Sequence, residues 1–404
     1  MAATSLTGKR RVRRSPVPYL LVAGILLLIG WRIHYLVNVA EVRSYASFVG
    51  AFFSSLQLGS LYALIALGYT MVYGIIRLIN FAHGEVFMVG AFVSYFLFTN
   101  TPYSLPGAIL GAAFISLGVM FLATLWRGYQ LGHPLILAIG AVSLVAFTFV
   151  LSMADLGWIM ALIFSMLTTG VVGVAIDRIA YRPLRGAPRL SLLITAIAVS
   201  IFLQNFGLLT FSQRQTPYRP ETMWTDSLSF DVLGQTVFTT NLIILTPLLL
   251  IVLVTALHLF VTRTRIGRAM RATAQDPETA EMMGVNVNRV IATVFFLGAM
   301  LAAAAGVLWG MNFGSLNQPA VFGLLPGIKA FSAAVIGGIG SLPGAVLGGI
   351  ILGFLENFLT ALFPRTPDFA GITEYKDTFA FIALILILLV KPSGLIGEDL
   401  SEKV

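Results

Sequence analysis

Residues 263–289 read RTRIGRAMRATAQDPETAEMMGVNVNR, and this polar stretch lies between two long apolar runs near 241–262 and 289–311. Each apolar run is about 20 residues long, the length of α-helix that crosses a bilayer core of roughly 30 Å. The polar stretch itself is Ala-rich and charged, and it predicts a pair of amphipathic helices. Packing gives no reason to hold so much charged helix at a surface, whereas binding of a soluble partner does. The stretch therefore predicts a helical membrane protein with a docking loop.

The composition of the whole chain supports this class. Of 404 residues, 58% are hydrophobic and 10% are charged, and the mean hydropathy is +0.91. A soluble domain carries roughly 25% charged residues. We predict an all-α, polytopic integral membrane protein with about ten to twelve transmembrane helices, including broken or re-entrant segments. The predicted spans lie near 17–39, 46–68, 69–98 with a break, 107–126, 134–154, 157–176, 190–211, 241–262, 289–311, 327–340, 344–363 and 378–392.

Residue counts exclude several kinds of site. The chain has no cysteine, which excludes disulfides, thiol catalysis and thiolate metal ligands. Its four histidines are scattered over different segments, which argues against a histidine metal site; they are His34, His83, His133 and His258. The sequence shows no paired-carboxylate, Ser-Lys or His-metal constellation, so we expect no catalytic residues and no metal or cofactor bound by this chain.

The net charge of +8 reflects membrane topology rather than nucleic-acid binding, because Lys and Arg collect on cytoplasmic loops. With both termini and the loops 177–189 and 263–288 in the cytoplasm, 17 of the 25 Lys and Arg residues lie inside and five outside. Basic residues at 9–14 precede an apolar run with a poor cleavage pattern, which favours an uncleaved first span over a secretory signal. In the first of these loops, the basic residues of Tyr181–Arg185 either only set the membrane topology or also contact a soluble partner or anionic membrane lipid.

A polar cluster interrupts the third predicted span. Asn80–Glu85 lies in the middle of segment 69–98, and a polar group in hydrocarbon without a partner costs several kcal/mol. Such a cluster must therefore face protein or water. Broken helices of this kind line transport sites, because freed helix ends can meet a solute. The alternative is that Asn80 and Glu85 cap two helix halves and hold neighbouring helices.

The glycine-rich run Gly337–Gly344 marks a second break. It lacks the lysine of a phosphate-binding loop, so it indicates a tight turn and close helix packing. The flanking segments 327–340 and 344–363 form two spans or one re-entrant hairpin. Two ionisable residues lie beside the break: Lys329, which either snorkels to the interface or faces a pathway, and Glu356, which either lines a pathway or makes a structural hydrogen bond.

Short motifs follow one another along most of the chain. They are Met71–Gly74, Ile79–Glu85 (INFAHGE), Val89–Ala91, Ile179–Pro183, Ser200–Asn205, Gly267–Ala272, Lys329–Phe331, Gly337–Ser341, Glu374–Asp377 and Pro392–Leu395. Each motif is weak alone, but their order and spacing together are specific, and they resemble a known family, the branched-chain amino-acid ABC importer permeases of the LivH type. In addition, Glu278-Thr279-Ala280 followed by Gly284 resembles the EAA-xxx-G coupling element of ABC importer permeases.

The resemblance implies one subunit of a multi-subunit importer in the bacterial inner membrane. A second homologous permease subunit and two ABC ATPase subunits would complete it, and a periplasmic binding protein would deliver a branched-chain or related neutral amino acid. The ATPase subunits would use the ATP, so this chain is not expected to be an enzyme. The expected ATPase-coupling residues are Arg268, Arg271, Glu278, Ala280 and Gly284. The candidates for the translocation path are Asn80, His83, Glu85, Lys329 and Glu356.

Two regions depart from the shorter family pattern. Residues 1–45 add a basic N-terminus and one span, and a stretch around 105–150 inserts a helix pair into the permease domain of 46–404. The added spans agree with the predicted sidedness, and we expect them to pack at the periphery.

Other functions stay open on the sequence alone. A permease for urea or short amides would share the architecture, because urea needs only neutral hydrogen bonds. An ion-coupled secondary transporter would also have broken helices and a membrane carboxylate, but it has no need of the 263–289 loop. An intramembrane enzyme would need a catalytic constellation that the sequence does not show.

Overall fold

The computed structural model describes residues 17–39, 43–99, 157–211, 214–218, 224–232, 234–366 and 371–397, and isolated positions between 134 and 145. The predicted spans near 107–126 and 134–154 lie outside the described residues, apart from those isolated positions. The basic N-terminus up to residue 16 also lies outside them.

The described part of the chain is a bundle of helices. The α-helices of the described residues are α1 (Val17–Asn38), α2 (Tyr45–Ile76), α3 (His83–Thr99), α4 (Gly157–Ile176), α5 (Arg189–Thr210), α6 (Leu242–Arg263), α7 (Arg265–Gln275), α8 (Pro277–Met282), α9 (Val287–Phe313), α10 (Pro319–Phe322), α11 (Leu324–Gly337), α12 (Leu342–Gly353), α13 (Leu359–Leu362) and α14 (Lys376–Val390). Two π-helical turns continue α4 and α12, at Asp177–Tyr181 and Phe354–Phe358, and short 3-10 turns lie at Arg182–Leu184 and Thr373–Tyr375.

Seven helical segments of the described residues are long and apolar enough to cross a membrane, judged by length and composition. They are Tyr45–Ile76, Ala161–Leu184, Leu190–Thr210, Leu242–Arg263, Val287–Phe313, Pro319–Gly337 and Leu342–Leu362. This confirms a polytopic helical membrane protein. The larger predicted number of spans includes segments that the structure does not describe.

The predicted boundary between the second and third spans is wrong. Residues 45–76 form one continuous helix of 32 residues, so the first part of the predicted segment 69–98 belongs to α2. The helix ends at Arg77, which has a left-handed backbone with φ 51°. The sequence around residue 68 is apolar without interruption, so it contains no signal for a turn there. The polar break after Arg77 lies between α2 and α3 rather than inside one helix.

Helix α9 fixes the directions of its neighbours. Gly68 of α2 packs on Gly298, and Tyr62 packs on Trp309 with ring centroids 6.0 Å apart, so α2 runs antiparallel to α9. The C-terminal end of α2 therefore lies at the end of the bundle that carries residues 264–286, which we call the loop end. His83, the first residue of α3, packs on Tyr69 with ring centroids 4.7 Å apart. Tyr69 lies seven residues, or about 10 Å of helix, before the end of α2. The start of α3 is therefore about 10 Å inside the bundle, measured from the end of α2.

Small residues allow the central helices to pack closely. Ala302–Ala305 of α9 are fully buried, and a Cβ on Gly90 of α3 would collide with Ala303. Gly349 and Gly353 of α12 lie directly against the backbone of α2. Lipid tails are as apolar as leucine, so close van der Waals packing of small residues contributes much of the helix association in a membrane.

The glycine run between α11 and α12 forms a tight hairpin turn at the loop end. Gly340 of the turn lies against Gly74, near the end of α2. The segment after α14 also reaches this turn, because the N–H groups of Leu395 and Ile396 donate to the carbonyls of Ile336 and Gly337 at 3.0 and 2.9 Å. The hairpin therefore reaches the loop end, which favours two spans over a shallow re-entrant loop.

The opposite end of the bundle carries short strands and the end of α1. Strands β2 (Ser227–Val232) and β3 (Gln235–Thr240) form an antiparallel hairpin, and β1 (Thr216–Pro217) pairs with β4 (Ser315–Leu316). Helix α1 packs on α2 and α13 through a small separate cluster built around Leu36. Within the described residues α1 is thus peripheral, as expected for an added span.

Candidate functional site

The break before α3 and the first turn of α3 hold three of the predicted path residues, and all three are buried. The Asn80 side chain accepts hydrogen bonds from the Tyr181 hydroxyl at 2.7 Å and from the Ala82 backbone N–H at 3.2 Å. Asn80 therefore closes the turn that leads into α3 and ties it to the π-helical turn after α4. Two residues further on, the Nε2 atom of His83 has no hydrogen-bond partner among the described residues.

Glu85 lies in the first turn of α3 and points toward α5. Its Oε1 accepts hydrogen bonds from Gln204 Nε2 at 2.8 Å and from the Ser200 hydroxyl at 3.4 Å. Its Oε2 has no hydrogen-bond partner in the described chain, and it lies against the backbone of Gly323. The side chain is 1% exposed. This carboxylate is therefore held on one oxygen only, and by neutral donors.

Lys329 and Glu356 come together in a second buried cluster. The Nζ of Lys329 lies 2.9 Å from Glu356 Oε1 and 2.7 Å from Asp377 Oδ1. The Tyr62 hydroxyl donates to Glu356 Oε2 at 2.9 Å. Lys329 thus does not snorkel to the interface; it pairs with two carboxylates, of which Glu356 is buried and Asp377 is half-exposed.

This second cluster joins four elements. Tyr62 comes from α2, Lys329 from α11, Glu356 from the π-helical turn after α12, and Asp377 from the first turn of α14. A π-turn carries one residue more than an α-turn, and such turns occur often at functional positions. The cluster therefore fastens the α11–α12 hairpin to α2 and α14.

Sequence reasoning missed several partners in these clusters. Gln204 and Ser200 fall within the Ser200–Asn205 motif, and Asp377 within Glu374–Asp377, so the motifs pointed at the segments but not at the roles. Tyr62 lies inside an apolar run and had no signal. The contacts that reveal it join residues 294 positions apart in the chain.

The loop between α6 and α9 forms two short helices, as predicted. Thr264 caps α7 by accepting from the Gly267 N–H, and Asp276 caps α8, where Pro277 is the first helical residue. Hydrogen bonds from the Thr279 hydroxyl and backbone N–H hold the pKa of Asp276 below its ordinary value. The stabilising cap is therefore present above the ordinary pKa, and it is lost only as pH falls through the lowered one.

The structure gives local reasons for the Ala280 and Gly284 positions. Ala280 is buried against the chain itself, so it does not lie on the outer surface that a partner would contact. Gly284 has φ +85°, a left-handed conformation that ends α8 at low cost only for glycine. Both residues shape the loop from inside.

The outer surface of the loop combines charges with two exposed methionines. Arg268, Arg271 and Glu278 are exposed. Met282 and Met283 are 80% and 81% exposed, and sequence analysis did not single them out. Two fully presented methionines in a polar loop are typical of a protein-binding surface, because the flexible thioether adapts to a partner.

The basic motif after α4 makes contacts inside the chain. Arg185 pairs with the buried Asp177 at 2.5 Å and also hydrogen-bonds Asn288, at the start of α9. This contact joins the turn after α4 to the exit of the loop. Arg185 is thus engaged within the protein, although its neighbour Arg182 is exposed.

Comparison with known proteins gives consistent matches over most of the chain. A family model described as branched-chain amino acid transport system / permease component matches residues 51–144 and 112–388. The high-affinity branched-chain amino acid transport system permease protein LivH of Escherichia coli (strain K12) is 38% identical over 362 residues, covering 88% of this chain and 98% of the relative. The permease protein BraD of Pseudomonas aeruginosa is 39% identical over 354 residues, covering 87% and 96%. The fructose import permease protein FrcC of Rhizobium meliloti is 31% identical over 166 residues, 39% of this chain and 41% of the relative. No solved structure matches the chain.

Proposed function

Because this chain belongs to the family of branched-chain amino acid transport system permeases, we propose that it forms the membrane path of an ATP-driven importer for these amino acids. The observation that carries the proposal is the match to permeases of branched-chain amino acid transport over nearly their whole length. The relatives are transport permeases rather than enzymes. The seven membrane-spanning candidates and the buried polar clusters among them fit a transport path.

The proposed importer contains more than this chain. A second permease subunit completes the path, two ATPase subunits bind at the loop end, and a periplasmic binding protein delivers the substrate at the opposite end. The loop end and both termini lie in the cytoplasm of a bacterial inner membrane. The ATPase subunits hydrolyse ATP, and this chain binds no cofactor.

The loop surface is the proposed contact with the ATPase. Arg268, Arg271 and Glu278 supply charges, and Met282 and Met283 supply apolar area. Ala280 and Gly284 hold α8 in shape, so movement of the ATPase is passed to α9 through a short, well-capped helix.

The coupling surface can be tested with a matched pair of exposed apolar residues. We expect the double variant Met282→Ser/Met283→Ser to lose most co-purification with the ATPase subunits, because its apolar contact area is gone. Phe238 on β3 is 77% exposed but lies at the opposite end, so Phe238→Ser should retain the ATPase. Full retention by the methionine variant would remove these residues from the coupling surface.

The transport proposal is tested by ATP-dependent uptake in vesicles that hold this chain with its partner permease, ATPases and binding protein. Leucine, alanine and urea are compared as labelled solutes. Uptake that needs all components and favours leucine is the expected result. Preference for urea would change the substrate, and uptake by this chain alone under an ion gradient would overturn the proposal.

A further inference from the structure

The described residues contain three buried acidic side chains, and one of them lacks a cation. Asp177 pairs with Arg185, and Glu356 pairs with Lys329. Glu85 is buried as deeply, yet no Lys, Arg or His nitrogen of the described chain forms a salt bridge with it. Glu85 is thus distinguished from the other two by geometry rather than by sequence.

Neutral groups donate hydrogen bonds to only one of the two oxygens of the Glu85 carboxylate. Gln204 and Ser200 donate to Oε1, while Oε2 faces the Gly323 backbone with no donor among the residues described. Glu85 lies in the first turn of α3, where the helix dipole favours a negative charge. The dipole helps α3 to tolerate the acid, but it supplies no hydrogen bond to Oε2.

An intramembrane carboxylate without a cation is costly, and residues of this kind occur where a solute or proton passes. The substrate of the proposed importer carries one cationic group, its ammonium. We propose that Glu85 receives the ammonium group of the transported amino acid through Oε2, while Gln204 and Ser200 position the carboxylate through Oε1. This inference rests on the proposed function and assigns one recognition residue within it.

The packing around Oε2 provides a way to open the site. Helix α11 contacts the start of α3 through Gly323 and Gly327, which lie against Gly84. At this contact only glycine backbone lies over Oε2, so a local shift of the segment around Gly323 is sufficient, and the ion pairs of Lys329 further along α11 stay in place. Such a movement would uncover Oε2.

The test is leucine binding to the detergent-solubilised assembly of this chain, its partner permease and the ATPases, without the binding protein. Two half-analogues of leucine compete with the labelled amino acid: 3-methylbutylamine, which keeps the ammonium, and 4-methylpentanoate, which keeps the carboxylate. We expect the amine to compete and Glu85→Gln to weaken binding of leucine and of the amine by at least about tenfold, the scale of one lost charge-assisted hydrogen bond. Competition by 4-methylpentanoate should not change in this variant.

Two further variants separate ligand recognition from structure. Glutamine at position 85 can still accept from Gln204 and Ser200, so it keeps the contacts with α5 and removes only the charge. The double variant Ser200→Ala/Gln204→Leu keeps the charge and removes both positioning hydrogen bonds, and we expect it to weaken amine binding less than Glu85→Gln does, because the ammonium still meets a carboxylate. Glu85→Asp, which keeps the charge, should recover part of the binding, and size-exclusion chromatography confirms that each assembly is intact.

Several outcomes would overturn the inference. The first is equal leucine binding by the wild type and Glu85→Gln, and the second is a larger loss of leucine binding in Ser200→Ala/Gln204→Leu than in Glu85→Gln. The third is an assembly that transports leucine but shows no measurable leucine binding. The fourth is leucine binding that requires Na⁺ and is not inhibited by 3-methylbutylamine. The proposed function fails separately, if the complete assembly shows no ATP-dependent leucine uptake.

Discussion

Glu85 and Glu356 are both buried acids in the membrane part of the chain, but their surroundings differ. Glu356 has an ammonium group on one oxygen and a phenol on the other, from Lys329 and Tyr62. Among the described residues, Glu85 has two neutral donors on one oxygen and none on the other. Glu85 lies in a polar cluster and Glu356 in an apolar span, and the sequence made both of them candidates for the translocation path.

The difference shows that intramembrane acids do not all have the same role. The charges at Lys329, Glu356 and Asp377 are already paired, so this cluster works as a clamp between the α11–α12 hairpin, α2 and α14. Lys329 and Glu356 were predicted to lie on the translocation path. Because they pair with each other, the structure favours a role in holding the helices together over contact with the solute. Glu85 remains incompletely paired, which suits a residue that meets a ligand.

The largest effect is expected at the clamp. Lys329→Met leaves Glu356 buried with no cation, and removing one partner of a buried pair costs about 3–5 kcal/mol. Thermal unfolding in detergent should show this loss, while Lys376→Met, at an exposed neighbour of Asp377, should show little. The double variant Lys329→Met/Glu356→Gln should recover part of the stability. If Lys329→Met and Lys376→Met have the same unfolding temperature, the cluster is not a clamp.

A smaller effect is expected where α11 meets α3. A Cβ on Gly323 would collide with Glu85 Oε2 and lie 2.7 Å from the Gly84 carbonyl oxygen, so Gly323→Ala should cost about 1–3 kcal/mol and abolish uptake. Gly74→Ala is the control, because its Cβ would lie 3.6 Å from Gly340, an ordinary contact. Normal uptake by the Gly323 variant would show that this contact does not govern access to Glu85.

The smallest effect on stability is expected for Glu85→Gln. The amide keeps both hydrogen bonds from α5 and removes a charge that has no cation among the described residues, so stability should stay equal or increase. Glu356→Gln leaves the half-exposed Asp377 as the one carboxylate that Lys329 contacts among the described residues, and it should cost about 1–3 kcal/mol. Comparing the two unfolding temperatures tests this contrast, and equal losses would make both acids structural.

Sequence reasoning predicted the helices better than their breaks. The spans near 157–176, 190–211, 241–262 and 289–311 agree with α4, α5, α6 and α9 within a few residues, because long apolar runs define them. The division of α2 at residue 68 was wrong, because apolar sequence continues through it.

Local sequence also explains much of the loop between α6 and α9. The N-cap at Asp276, Pro277 after it and Gly284 at the end specify α8 through backbone chemistry alone. That Ala280 faces inward while Met282 and Met283 face outward depends on how α8 rests on the rest of the chain, which local signals do not encode.

The sequence by itself determined the class of the protein, most helices, the docking loop and the candidate polar residues, because bilayer thickness and helix capping act on neighbouring residues. The tertiary structure alone decided which buried charge has a partner. Lys329 meets Glu356 because the π-turn and the glycine hairpin bring them together, and Glu85 is left with neutral donors because α5, which carries them, packs beside it. Electrostatic pairing in a membrane depends on distances of a few ångströms between remote segments, and these exist only in the folded bundle.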